Sequence, residues 1–253
     1  MARYTGAMAV TPAVLAHSRK EFEDTLAFLV AIPGISRVQI DAVDGVYAAP
    51  VSWPYVELGA LRIMREEREF LPHLDRLEYE VDLMCDHAEP AISEWLRLGV
   101  SRLTLHAGAF QDPVSTLTRL RREYGGSRVA GQSTVTAFGM AFGPDADDAL
   151  LGQAAPHADY IQFMGIDRIG KQGEPFDARV IDRVRAFTRV HPSVPVQVDG
   201  GVTIEHAKRL AAAGASTFVV GSAILHAVNP VAAFAAFEAA LEVDFSQGGI
   251  NRI

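Results

Sequence analysis

Short apolar runs alternate with amphipathic stretches along the whole chain. Runs at 7–10, 37–42, 77–84, 102–106, 137–142, 160–165, 196–198 and 217–220 have the length and composition of buried strands. Between them, apolar residues recur at helical spacing. Phe22, Leu26, Leu29 and Val30, for example, share one face of a helix expected over 19–31, which Pro33 and Gly34 then stop. The same pattern predicts helices over 56–70, 91–98, 114–124, 145–153, 177–190, 204–213 and 230–241. Thr203 is placed to cap the helix at 204–213, and Gly214 to end it in the left-handed conformation.

Alternating strands and helices imply a parallel sheet with right-handed crossovers. Eight such units within 253 residues, with no composition break, predict one (β/α)8 barrel domain over 1–253, its tail irregular from about 243. A doubly wound open sheet is the alternative. In a barrel the chemistry sits where the strands end, so those ends carry the argument.

The strand at 196–198 runs into Asp199, Gly200 and Gly201, and the strand at 217–220 into Gly221 and Ser222. Glycines at the same ends of neighbouring strands let backbone N–H groups approach an anion, which predicts a phosphate pocket. Other strands close with Gln39 and Asp41, with Asp82 and Met84, with His106, and with Met164. Side chains alternate along a strand, so Gln39 and Asp41 share a face, as do Asp82 and Met84. Asp41, Asp82 and Asp199 are thereby aimed at one mouth. Buried acids are costly unless paired or bound to a cation, so their convergence points to acid–base work or a metal. His106 reads first as a hydrogen-bonded core residue. The connection 46–55, with Tyr47 and Trp53, reads equally as local packing on the rim or as a lid or interface.

The formal net charge is −8, with no long basic run, which disfavours nucleic acid as a partner. Cys85 is the one cysteine, so no intramolecular disulfide is expected; it reads as a packed thiol. No signal peptide or membrane span is evident, and a cytoplasmic protein is expected.

The segments QIDAVDG (39–45), VDLM (81–84), LHAGA (105–109), GMAFGP (139–144), YIQFMG (160–165), VDGG (198–201) and VGSAIL (220–225) together resemble the ribulose-phosphate 3-epimerase family from about residue 7 to 241. The resemblance implies that Asp41 and Asp199 are the acid–base pair and that Gly200, Gly201, Gly221 and Ser222 hold phosphate. Gly170 and Gly173 would join them from a closing loop, and Met164 would line the reacting centre with Gln39, Met84 and His106. It also implies a homo-oligomer and a small phosphorylated sugar as substrate.

The chain departs from the family at the metal. Gln39 and Asp82 stand where two histidine ligands are expected, Ala13 and Val43 replace a usual serine and methionine, and the loop IGKQGEPF (169–176) replaces a PGFGGQ-type sequence. Gln39, Asp41, Asp82 and Asp199 would form an all-oxygen set, favouring Mg²⁺ or Mn²⁺ over zinc or iron, or no metal at all. The expected activity is epimerisation of a ketopentose phosphate of the ribulose/xylulose 5-phosphate type through an enediolate. The alternatives are another phosphosugar isomerase, epimerase or lyase on the same barrel, and a non-catalytic sugar-phosphate-binding relative. Strand three reads DLMCD (82–86), without the lysine of the related D-x-K-x-x-D decarboxylases.

Overall fold

A computed structural model describes residues 8–125 and 135–242. Eight parallel strands close into a barrel in chain order: β1 (Ala9–Val14), β2 (Arg37–Val43), β3 (Glu78–Met84), β4 (Arg102–His106), β5 (Ala137–Phe142), β6 (Tyr160–Met164), β7 (Val196–Asp199) and β8 (Thr217–Val220), with β8 paired back onto β1. The helices are α1 (Arg19–Leu29), α2 (Ala60–Glu66), α3 (Glu89–Arg97), α4 (Pro113–Tyr124), α5 (Asp148–Ala154), α6 (Arg179–Val190), α7 (Ile204–Ala213), α8 (Ser222–Leu225) and α9 (Pro230–Glu242). This is the expected (β/α)8 barrel; the open sheet is excluded by the β1–β8 pairing. The tail from 243 lies outside the described residues. No helix among them is long and apolar enough to cross a membrane.

Strand alternation divides the barrel into two cores of opposite character. Val38, Ile40, Ala42, Tyr79, Val81, Leu83, Leu103 and Leu105 belong to the continuous apolar cluster. Their neighbours on the other face, Gln39, Asp41, Glu80, Asp82, Thr104 and His106, are buried too, but polar. Branched apolar residues commonly fill the inside of such a barrel. Here much of the inside is a hydrogen-bonded polar network, so hydrophobic burial is concentrated between strands and helices.

The helices follow their sequence signals closely. The Ser18 side chain accepts from the Glu21 N–H to cap α1, which buries Phe22, Leu26 and Leu29. Thr203 caps α7 in a reciprocal box with His206, and Gly214 ends it at φ 107°. Three elements differ from expectation, one of them the four-residue α8 after β8, which the apolar pattern did not predict. β1 runs on to Val14 through Pro12, whose residue pairs in register with Val220. Sequence reading ended the strand at Val10; proline has no N–H to give a ladder, yet Pro12 lies inside β1, with Ala13 and Val14 beyond it. α2 is half the expected length because Gly59, at φ 76°, sits immediately before it, and a left-handed residue cannot continue a helix backwards.

The connection 46–55 packs on the rim. Trp53 is fully buried, stacked on Phe22 at 4.3 Å and edge-on to Trp95 at 6.0 Å. The Ser52 hydroxyl donates to the Asp41 carbonyl and accepts from the Val43 N–H, at 2.7 and 2.8 Å, fixing the connection to the end of β2. The same segment reaches the loop after β6: a Cβ built on Gly170 would lie 3.2 Å from both Ala48 Cβ and the Ala49 carbonyl. Tyr47 tilts over His106, ring centres 5.4 Å apart.

Candidate active site

Asp41 lies two residues before the end of β2 and Asp199 ends β7, three places apart around the barrel with β8 and β1 between them. Both line one cavity at the C-terminal mouth, together with Met84, Met164, Gly170, Gly173, Gly200, Gly201, Gly221 and Ser222. Asp82, the register partner of Asp41 on β3, is fully buried, and one carboxylate oxygen from each of Asp41, Asp82 and Asp199 falls within 4.8 Å of the others. Gln39 lies one step below Asp41 on the inner face of β2, whereas His106 closes β4, two residues beyond Thr104, the register partner of Asp82. His106 Nε2 and Asp82 Oδ1 are 2.7 Å apart, and both side chains are almost wholly buried. His106 is thus a hydrogen-bonded histidine that touches the acid cluster through Asp82.

Gln39 stands between the two mouth acids. Its Nε2 donates to Asp41 Oδ1 at 2.9 Å and to Asp199 Oδ2 at 2.7 Å. The amide's orientation is set from below. Arg102 Nε donates to Glu80 Oε2 at 2.8 Å, and Arg102 Nη2 to Gln197 Oε1 at 3.3 Å. Gln197 therefore turns its Nε2 toward Glu80 Oε1, Gln162 Oε1 at 2.8 Å and Gln39 Oε1 at 3.4 Å. With their oxygens so engaged, Gln39 and Gln162 present N–H groups upward; Gln162 donates to Asp82 Oδ2 at 2.9 Å. Gln39, expected among the oxygen ligands, thus enters the acid cluster as a donor. Turning its oxygen to a cation would set its N–H₂ against the N–H₂ of Gln197.

Burial raises the Asp41 carboxyl well above its usual range, and the nearby Asp82 adds to the effect. Asp199 is raised for the same first reason, with Asp41 and Asp82 both contributing. Like charges so close cannot all ionise, so the pair holds a proton near neutrality. At the other end of the network, burial alone would raise Glu80, but Arg102 outweighs it and the carboxyl falls below its ordinary value. Burial also lifts Tyr47 to about 12 and Cys85 to about 12, so the cysteine is a packed, unreactive thiol.

The raised acids tie stability to pH. Asp41 and Asp199 take up protons more readily folded than unfolded, so their stabilising protons are in place below about pH 3.9 and are lost as pH rises through the folded values. Chelator-treated protein is expected to lose stability between about pH 5 and about pH 9. Asp199→Asn should flatten that slope, by about 1.4 kcal/mol for every tenfold difference in proton affinity between folded and unfolded chain that it abolishes. Denaturant melts at both pH values check this; parallel wild-type and variant curves would contradict it.

Gly200, Gly201, Gly221 and Ser222, expected to hold phosphate, all line the mouth cavity. Gly200 and Gly201 have φ of 102° and 65°, open to glycine at little cost. A Cβ on Gly201 would meet the Phe176 backbone at 3.0 Å, so the loop after β6 lies directly on it. Sequence reading missed Glu80, Arg102, Gln162 and Gln197. For three of them a signal was available: Glu80, Gln162 and Gln197, like Gln39, each stand two residues before Asp82, Met164, Asp199 or Asp41 on the same strand, hence on the same inward face. It also passed over Lys171 and Gln172, which line the cavity.

A closed parallel barrel with paired acids and a glycine cradle at its C-terminal mouth defines a (β/α)8 enzyme scaffold. Residues 9–225 match the ribulose-phosphate 3 epimerase family, and the chain belongs to it. That is an isomerase family, of the racemase and epimerase class acting on carbohydrates. Ribulose-phosphate 3-epimerase of Mycobacterium bovis is 26% identical over 240 residues, spanning 93% of this chain and 94% of the relative. The Aquifex aeolicus protein of the same name is 25% identical over 198 residues, 77% of this chain and 79% of its own. Among solved structures, KGPDC from Streptococcus mutans superposes with a TM-score of 0.62 at 14% identity, covering 94% of this chain and 98% of that one. 3-Hexulose-6-phosphate synthase from Salmonella typhimurium gives 0.61 at 16%, covering 93% and 99%. These two likenesses speak for the fold.

Proposed function

We propose that the chain epimerises a phosphorylated ketopentose of the ribulose/xylulose 5-phosphate type, with Asp41 and Asp199 as its two proton-transfer groups. The observation that carries this reading is the amide of Gln39 bridging two buried, proton-holding carboxylates at the floor of a cavity walled by the glycine cradle. With phosphate held on Gly200, Gly201, Gly221 and Ser222, the sugar's carbonyl end extends toward the acids. One carboxylate, ionised, takes the proton next to the carbonyl; the other, protonated, returns one to the opposite face, and configuration inverts. Donors in the cluster share the negative charge that develops on the enediolate oxygens. Retention of both acids favours an enzyme over a non-catalytic sugar-phosphate binder, which would gain nothing from them.

Asp41, Asp82 and Asp199 fit a hard divalent cation: their oxygens converge, and among the described residues no hydrogen bond engages Asp41 Oδ2 or Asp199 Oδ1. Such an ion, Mg²⁺ or Mn²⁺ by the all-oxygen ligand chemistry, would supply positive charge for the enediolate. Metal analysis of protein purified without chelator is expected to find no stoichiometric zinc or iron; either at one per chain would overturn the oxygen-site reading. The function itself is tested by incubating the protein with a panel of ketose phosphates in D₂O. Deuterium is expected at the carbon beside the carbonyl of a ketopentose phosphate, and its absence from every sugar tried would reject the epimerase.

A further inference from the structure

The mouth cavity is rich in acid and poor in base. Asp41 and Asp199 line it, the Asp82 carboxylate adjoins theirs, and Lys171 is the one cationic side chain among the lining residues. A sugar phosphate carries close to two negative charges into this field. Backbone N–H groups at the glycine cradle offer partial charges only, so a full cation near the phosphate would remove much of the repulsion.

Lys171 has the position and freedom for that role. It is exposed on the loop after β6, between Gly170 and Gln172, and it forms no ion pair or hydrogen bond among the described residues. Its neighbour shows where the loop's side chains meet the cradle. A Cβ built on Gly221 would lie 2.6 Å from Gln172 Nε2 and 2.8 Å from Gln172 Cδ. That same Nε2 donates to the Ala13 carbonyl at 3.2 Å. The Gln172 amide therefore lies directly against the backbone surface that a phosphate would use, with a hydrogen bond that it can exchange for one to a phosphate oxygen.

We propose that Lys171 and Gln172 form a side-chain clamp on the substrate's phosphate, Lys171 as its counter-ion and Gln172 as a donor that swings from the Ala13 carbonyl to the anion. The inference rests on the epimerase reading for the identity of the sugar, but the anion grip is tested apart from turnover.

The experiment is calorimetric titration of the full chain with ribulose 5-phosphate and with inorganic phosphate, for wild type, Lys171→Ala, Lys171→Arg and Gln172→Ala. Lys171→Ala should weaken both ligands by about tenfold or more, and the arginine variant should keep most of the affinity. Gln172→Ala should weaken both by about three- to tenfold, since a neutral donor contributes less. In steady-state assays the Lys171→Ala loss should fall on KM, with kcat within about twofold. Lys171→Ala binding phosphate as tightly as wild type would overturn the clamp and leave the epimerase reading standing. A fall in kcat at unchanged KM would also overturn it, by placing Lys171 at the reacting carbon. Wild-type binding of phosphate with the expected losses, but no deuterium exchange, would uphold the clamp while the epimerase reading fails. No binding of either ligand by wild type would reject both.

Discussion

Asp41→Asn is expected to slow solvent deuterium uptake into the substrate by about 10²–10⁴-fold, and Asp199→Asn by a similar factor, with inorganic phosphate bound within a few-fold of wild type. Each asparagine keeps an oxygen that can accept from Gln39 Nε2, so the bridge at the cavity floor survives in shape. What is lost is the ability to take or give a proton. The loss should fall on kcat and on kcat/KM together, because the proton is in flight only in the transition state. The two substitutions differ in a readable way. In the proposed scheme each acid serves one side of the sugar, so the residual exchange in a variant lacking one should come from the side served by the other, starting from one epimer only. Exchange without inversion, with the favoured epimer differing between the two variants, is the signature of two acids acting on opposite faces. Turnover at near wild-type rate in either variant would reject the scheme.

That prediction rests on residues that strand-end reasoning picks out directly. Asp41 and Asp199 are legible because each stands at or near the end of an apolar run, and because a barrel gathers its strand ends at one mouth. The cradle at Gly200 and Gly221 is legible because glycine after a strand has a local, one-residue meaning. The parts that were hidden depend on what faces what across the barrel. Gln39 sits two residues before Asp41, so its shared face is plain from sequence, but which end of its amide meets the acids is decided by Gln197, 158 positions away. Arg102 reads locally as the polar start of a strand; its role emerges only when β4 and β7 lie on the same interior and it reaches both Glu80 and Gln197. The shortened α2 was hidden for a different reason: Gly59 falls inside an amphipathic pattern that tolerates either conformation, and the left-handed one it adopts is not written in its neighbours' spacing.

Arg102→Met is expected to destabilise the fold by about 3–5 kcal/mol at neutral pH, because it leaves the fully buried Glu80 charge without its partner. Thr104 and Tyr160 still donate to Glu80 Oε1, at 3.0 and 3.2 Å, but neither brings charge. The pH dependence identifies the cause. In wild type, Arg102 holds the Glu80 carboxyl low, so its contribution is in place above the unfolded value near about 4.3 and is lost only as pH falls through the lower folded one. In the variant, burial raises Glu80 with only the weaker pull of the Arg37 charge to oppose it, and the penalty grows as pH rises. The gap between the two proteins should therefore be widest near neutrality and close as the pH falls to the ordinary carboxylate range. Adding Glu80→Gln to Arg102→Met removes the stranded charge and should recover most of the stability. It should not recover full activity. With Arg102 gone, nothing fixes Gln197 Oε1, and the amides of Gln39 and Gln162 are free to turn their oxygens toward the acids. A double variant that is stable, binds phosphate and yet has a depressed kcat would tie catalysis to the orientation of those amides. An Arg102→Met protein within about 1 kcal/mol of wild type at neutral pH would mean the ion pair stabilises nothing beyond its own desolvation cost. A double variant with wild-type kcat would show that the acids do not depend on the order imposed beneath them.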